Sequence, residues 1–219
     1  NMMSYYQLPI SYRFIEKPPP RPLKKNKKHS WKLEEVRKFI KSAEYIRDKA
    51  VLLCLFQSGL SVGDLVDLDY GDIRRDFEAG ALPVMVHLYR LKTGIEHRTF
   101  FGRDAARYLR LYLEPRQPLR DEDPLFTKHG SDARITDAAI QMMMRRLADE
   151  MSFIEINGGE NSFNPARPHS LRAAFNSRLT GKMDRTLIEY FMGHEIGEEK
   201  RTYLTMSDDE LRDLYGNHE

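Results

Sequence analysis

The 219-residue sequence predicts a mostly helical α+β fold with one small antiparallel sheet of three strands. Three observations carry this. Apolar residues recur at helical spacing along most of the chain. Residues 82–101 switch to the composition of extended strands and turn at Gly94. Hydrophobic residues make up 41% against 31% charged, the balance of a chain that buries a core.

Residues 1–16 are mixed and aromatic, with Tyr5, Tyr6 and Tyr12 and no clear period. "KPPPRPLKKNKK", residues 17–28, is proline-rich and basic without a single acid, so residues 1–30 read as an arm or linker. Beside a polyanion, Lys24, Lys25, Lys27 and Lys28 would supply phosphate contacts. A solvated tail explains the same charges equally well. Residues 31–219 are expected to form the folded domain.

From Trp31, Val36, Phe39, Ile40 and Ala43 keep the spacing of one helix face, with Glu34 and Glu35 in the first turn. A second helix, Ile46–Ser58, is apolar nearly all round and should be buried, with Gly59 ending it. "VGDLVDL" adds a further helical turn or two. "LPVMVHLY", "LKTGI" and "EHRTFF" form a hairpin, and a third strand is expected near Ile73. Helices follow at Asp104–Leu113, Thr136–Met151, Ser170–Leu179 and Thr186–Met192. A short one begins at Ser207, where "SDDE" is a capping box.

Several classes are excluded by composition. One cysteine, Cys54 in "AVLLCLFQ", makes no disulfide framework and reads as a small core residue. The absence of CxxC, HExxH or a Cys/His cluster argues against structural zinc. No apolar run is long enough to span a membrane and no signal-peptide pattern opens the sequence, which implies a cytoplasmic chain. A net charge of +2 says little about partners.

Four short features bear chemistry. "RPHSLRAAFNSRL" sets His169 and Arg172 one helical turn apart, and Pro168 presets the helix entry where an anion is welcome. An imidazole beside a bidentate guanidinium suits a phosphate, although a polar cap explains so short a motif better when it stands alone. Lys92 sits at the hairpin tip, where lysines usually protect an edge. Gly193 would end a helix and leave His194 in the following loop. Tyr203, nine residues on, is either a core aromatic or a reactive phenol.

Taken in order, "SGLSVGDL", Lys92, His169-x-x-Arg172, Gly193-His194 and Tyr203 resemble the catalytic domain of tyrosine recombinases, the phage-integrase family. The likeness runs from about Trp31 to Tyr215. It implies a helical catalytic domain of that type. Tyr203 would attack a DNA phosphodiester, giving a 3′-phosphotyrosyl link and a free 5′-hydroxyl. Arg172 and His194 would hold the non-bridging oxygens, His169 would assist proton transfer at the tyrosine, and Lys92 would protonate the departing 5′-oxygen. The resemblance implies no metal and no nucleotide cofactor. The implied partner is double-stranded DNA, at the nucleoid, bound by four protomers, with the free protein a monomer or weak oligomer. The segment after Tyr203 would dock either on a neighbour or on its own domain.

The sequence departs from the family's T-G-L-R-x-x-E-L motif. Ser61 stands where an arginine belongs, and a neutral, short hydroxyl cannot replace a guanidinium clamp. Either activity is weakened, or another arginine (Arg74, Arg75 or Arg167) reaches in, or the chain is a catalytically inactive DNA-binding protein. The thirty or so residues before Trp31 are also too few for the separate clamping domain that the family usually places there. The expectations are then a fragment, or an arm that does a reduced version of the clamp's work.

Overall fold

The computed structural model describes residues 31–90, 95–151, 166–194, 197 and 205–218. Helices α1 (Leu33–Ser42) and α2 (Ile46–Ser58) lie where the apolar spacing puts them. Val36, Phe39 and Ile40 turn inward from α1, while Glu35 caps it by accepting from the Lys32 main-chain N–H at 2.7 Å. Helix α2 is the axle of the fold. It is buried on nearly every side and packs against α5 (Arg103–Leu113), α7 (Pro168–Leu179), α1 and the hairpin. Cys54 is fully enclosed in it, and burial pushes its thiol well above the ordinary range, consistent with an inert core residue.

After α2 come α3 (Val62–Asp67), a 3₁₀ turn at Tyr70–Asp72 and α4 (Arg74–Ala79). Strands β1 (Val84–Arg90) and β2 (Ile95–Phe101) pair antiparallel in a register from Val84–Phe101 to Arg90–Ile95. Helices α6 (Asp137–Glu150), α8 (Arg185–Phe191) and α9 (Asp208–Gly216) complete the described chain.

The sheet has two strands among the described residues, not three. Ile73 falls between the 3₁₀ turn and α4 rather than in a strand. The reason is local. Asp and Gly around it disfavour a strand, and the N–H groups of Tyr70 and Gly71 go to the carbonyls of Asp123 and Asp121, away from the hairpin. No helix among the described residues is long and apolar enough to cross a membrane, and no group of three His, Cys, Asp or Glu among them is placed to hold a metal ion.

Helix α9 packs on its own chain. Leu211 and Tyr215 are buried, and the Tyr215 ring lies 5.2 Å from Phe100 and 5.7 Å from Phe191. Arg212 bonds to Asp76 at 2.7 Å and to the Pro83 carbonyl. At its start, Asp208 pairs with Arg98 at 2.8 Å and Arg75 at 3.3 Å.

Burial raises the Asp208 carboxyl, but the Arg98 hydrogen bond and the His87, Arg98 and Arg75 charges outweigh it, so its pKa lies below the ordinary 3.8. A depressed folded-state value stabilises above the unfolded-state one and is lost as pH falls through the folded value. Asp208→Asn should therefore cost about 1–2 kcal/mol near neutrality. In paired thermal melts that deficit should shrink below pH 3.8. A deficit that stays constant down to acid unfolding would contradict the ion pair's contribution.

Candidate functional site

The last turn of a helix leaves carbonyls that the helix cannot satisfy. At the end of α2, three consecutive ones are taken by side chains from three other elements. Tyr215 of α9 donates to the Gln57 carbonyl at 2.7 Å, and Thr99 of β2 donates to that of Ser58 at 2.7 Å. Arg172 of α7 donates through Nη1 to the carbonyl of Gly59. Gly59 ends the helix with φ +69°, and an added Cβ would lie 2.5 Å from the Phe175 ring. Only glycine fits there.

Arg172 reaches a second main-chain oxygen. Its Nη2 donates to the Met192 carbonyl at 2.7 Å, and the side chain is 7% exposed. Met192 leads into the Gly193–His194 turn, closed by bonds from Gly193 N–H to Tyr190 O at 2.8 Å and from His194 N–H to Glu189 O at 2.9 Å. Gly193 has φ +64°, and a Cβ there would come within 2.8 Å of the His97 ring. His97 and Thr99 lie on one face of β2, as alternate residues must. One strand face thus registers both turns: Thr99 holds the Ser58 end and His97 abuts Gly193.

The buried guanidinium joins stretches far apart in sequence. A guanidinium is planar with five N–H donors, so anchoring two terminal nitrogens to two carbonyls fixes its plane. Ser61 lies two residues past one anchor and His194 two residues past the other. His169 is exposed, the second residue of α7, one turn before Arg172. Arg167, also exposed, is the N-cap residue of the same helix. Lys92, Tyr203, Lys24, Lys25, Lys27 and Lys28 lie outside the described residues.

Ser61 has a local task. It is the N-cap of α3: its hydroxyl accepts the Asp64 N–H at 3.2 Å and donates to the Asp64 carboxylate at 2.7 Å. That carboxylate also accepts the Ser61 N–H at 3.4 Å, closing a capping box. As for stand-in arginines, α4 sends Arg74 to Glu78 at 3.0 Å and Asp121 at 2.9 Å. Arg75 goes to Asp208 and Asp76. Of the three candidates, Arg167 alone stands on the helix that carries His169 and Arg172.

His97 and Thr99 escaped the sequence reading as site-building residues. The signal was present: alternation in "EHRTFF" puts a histidine and a threonine on one strand face, and both are buried.

This helical frame around a short hairpin matches tyrosine recombinase catalytic domains. A crystal structure of XerA recombinase superposes with a TM-score of 0.61 at 24% identity, over 92% of this chain and 66% of that one. XerH bound to difH in a pre-cleavage complex gives 0.58 at 17% identity, over 84% of this chain and 52% of that one. The Tn1549 transposon integrase with circular intermediate DNA gives 0.57 at 18% identity, over 85% and 64%. The chain belongs to the phage integrase family, whose profile matches residues 30–210. The tyrosine recombinase XerC of Pelobacter propionicus is 29% identical over 171 residues, 78% of this chain and 51% of the relative. XerC of Thermodesulfovibrio yellowstonii is 31% identical over 156 residues, 68% and 46%. The chain therefore spans about half the length of these relatives.

Proposed function

We propose that residues 31–219 form the catalytic domain of a site-specific DNA recombinase that breaks and rejoins strands through Tyr203, at a rate lowered by Ser61. The observation that carries this reading is the Arg172 bracket. A guanidinium fixed in its plane, one helical turn from an exposed histidine and anchored to the Gly-His turn, would meet with its remaining N–H donors a phosphate whose charge grows in the transition state. In the proposed step the Tyr203 oxygen attacks phosphorus while His169 takes the phenol proton. The bond to the 5′-oxygen breaks, Lys92 returns a proton to that oxygen, and His194 and Arg172 hold the non-bridging oxygens. A phenol titrating near about 10 needs such a base and such cations at neutral pH. Double-stranded DNA is the proposed partner, with Lys24, Lys25, Lys27, Lys28 and Arg167 on its backbone. Four protomers would assemble on it, and the free protein would be a monomer or weak oligomer.

A duplex selected by the protein from a random-sequence pool, nicked beside the scissile phosphate, tests the reading. Denaturing gels should show a covalent protein–DNA adduct that vanishes in Tyr203→Phe. A duplex that binds tightly yet yields no adduct would sink it.

One observation favours a second reading, a catalytically silent DNA-binding protein. The residue at the arginine position is fully engaged as a helix cap. That reading expects salt-dependent DNA binding indifferent to Tyr203→Phe.

A further inference from the structure

Away from the bracket, the C-terminal end of α7 borders a groove that the proposed chemistry does not use. Arg178 is nine residues beyond His169, about 14 Å along the helix axis. Two adjoining cavities, of about 490 and 350 Å3, share Leu33, Val36, Phe56, Arg178 and Lys182 in their walls. Arg103 borders the larger one and also a third depression of about 310 Å3 on α5, between Leu82 and Leu111.

Two features of this surface are unusual. Leu33, Leu82 and Leu111, exposed at 42, 48 and 42%, lie along it. Its charge is nearly all of one sign. Facing the larger cavity are Arg37 of α1, Arg103 and Asp104 of α5, Arg178 and Lys182 at the end of α7, and His218 after α9. Arg37 is already paired with Glu34 at 3.0 Å. No carboxylate among the described residues pairs with Arg178 or Lys182. The Arg178 guanidinium stacks over Phe56 at 5.5 Å, and its Nε and Nη2 are buried with no acceptor. A buried donor without an acceptor is costly, so native proteins rarely keep one without a use.

We infer that this groove receives an acidic, apolar segment of another protein, with a carboxylate accepting from Arg178 and Lys182 and hydrocarbon side chains lying along Leu33, Leu82 and Leu111. The chemistry selects this occupant. A carboxylate supplies the acceptor that Arg178 lacks, and the exposed leucines favour one carried beside hydrocarbon over a hydrated phosphate backbone. The chain's own residues 17–28 are basic without an acid and would be repelled. Three depressions in a row, two sharing Arg178 and Lys182 and two sharing Arg103, suit a peptide-length ligand better than a small molecule.

The test uses the full 219-residue chain and a fluorescein-labelled peptide alternating Leu or Phe with Glu, read by anisotropy. A control peptide carries Lys in place of each Glu. The acidic peptide should bind and the basic one should not. Arg178→Gln with Lys182→Gln should weaken binding about tenfold or more, as loss of charged hydrogen bonds dictates. Arg178→Lys is a second, milder variant, and a thermal melt establishes that each variant is folded. Equal binding by the folded variants, equal binding of the basic peptide, or no binding by about 1 mM would overturn the inference. So would displacement of the peptide by a DNA duplex whose own affinity falls equally in the double variant, since the groove would then be a nucleic-acid contact. The covalent-adduct assay reads the proposed catalysis separately and should be unchanged in both variants.

Discussion

Ser61→Arg should speed strand cleavage by about 10²–10³-fold, the factor by which one transition-state donor usually changes a rate. The same change should lower stability by about 1 kcal/mol, because the cap on α3 is lost. Both effects follow from where Ser61 sits. It is two residues past the Gly59 carbonyl that anchors Arg172, so a guanidinium there would start beside the fork already in place. Its hydroxyl now serves the Asp64 N–H and carboxylate, and both of these contacts would be lost. Single-turnover cleavage of the nicked duplex gives the rate, and a urea titration gives the stability. A variant that loses the stability without gaining rate would favour the silent DNA-binding reading.

Gly59→Ala should destabilise the protein by about 2–4 kcal/mol, adding the strain of a left-handed alanine to overpacking against a ring. The Cβ would meet two Phe175 carbons at 2.5 and 2.6 Å, closer than atoms tolerate. Gly80 supplies the control. It ends α4 with the same φ of +69°, yet a Cβ there meets nothing within 4 Å. Gly80→Ala should therefore cost only about 1 kcal/mol of backbone strain. On the proposed function, Gly59→Ala should also slow cleavage about 100-fold, since the Arg172 acceptor shifts with the turn. If the two alanine variants melt alike, Phe175 yields more easily than the packing implies, and the turn is not the fixed point described here.

Much of this frame is legible in the sequence. Helix α2 shows itself by being apolar all round, and Gly59 and Gly193 fall at its end and at the turn after α8 because only glycine crosses to positive φ cheaply. The hairpin is visible in its branched and aromatic residues. The expected third strand fails because Ile73 is a lone apolar residue among Asp, Gly and Arg. Helix α4 was invisible for a related reason: six residues hold no helix by propensity, and this one forms because Phe77 is buried beside Tyr70. At the site, the HxxR spacing places His169 and Arg172 on one helix. The anchors of Arg172 could not be read, since they are main-chain carbonyls and any residue supplies one. Ser61 stands where the motif wants an arginine, yet with Asp64 three residues on it also spells a helix cap.

The hydrogen bonds that converge on residues 57–59 have a mechanical consequence. Three elements are pinned to one helix end, and pulling α7 from it would cost a buried cation one of its two acceptors, about 1.5–3 kcal/mol for a charged hydrogen bond. Thermal agitation leaves such a corner standing as a block. Any shape change on meeting a substrate has to pivot about that corner, so slow amide exchange is expected to be concentrated in α2 and the first turns of α7.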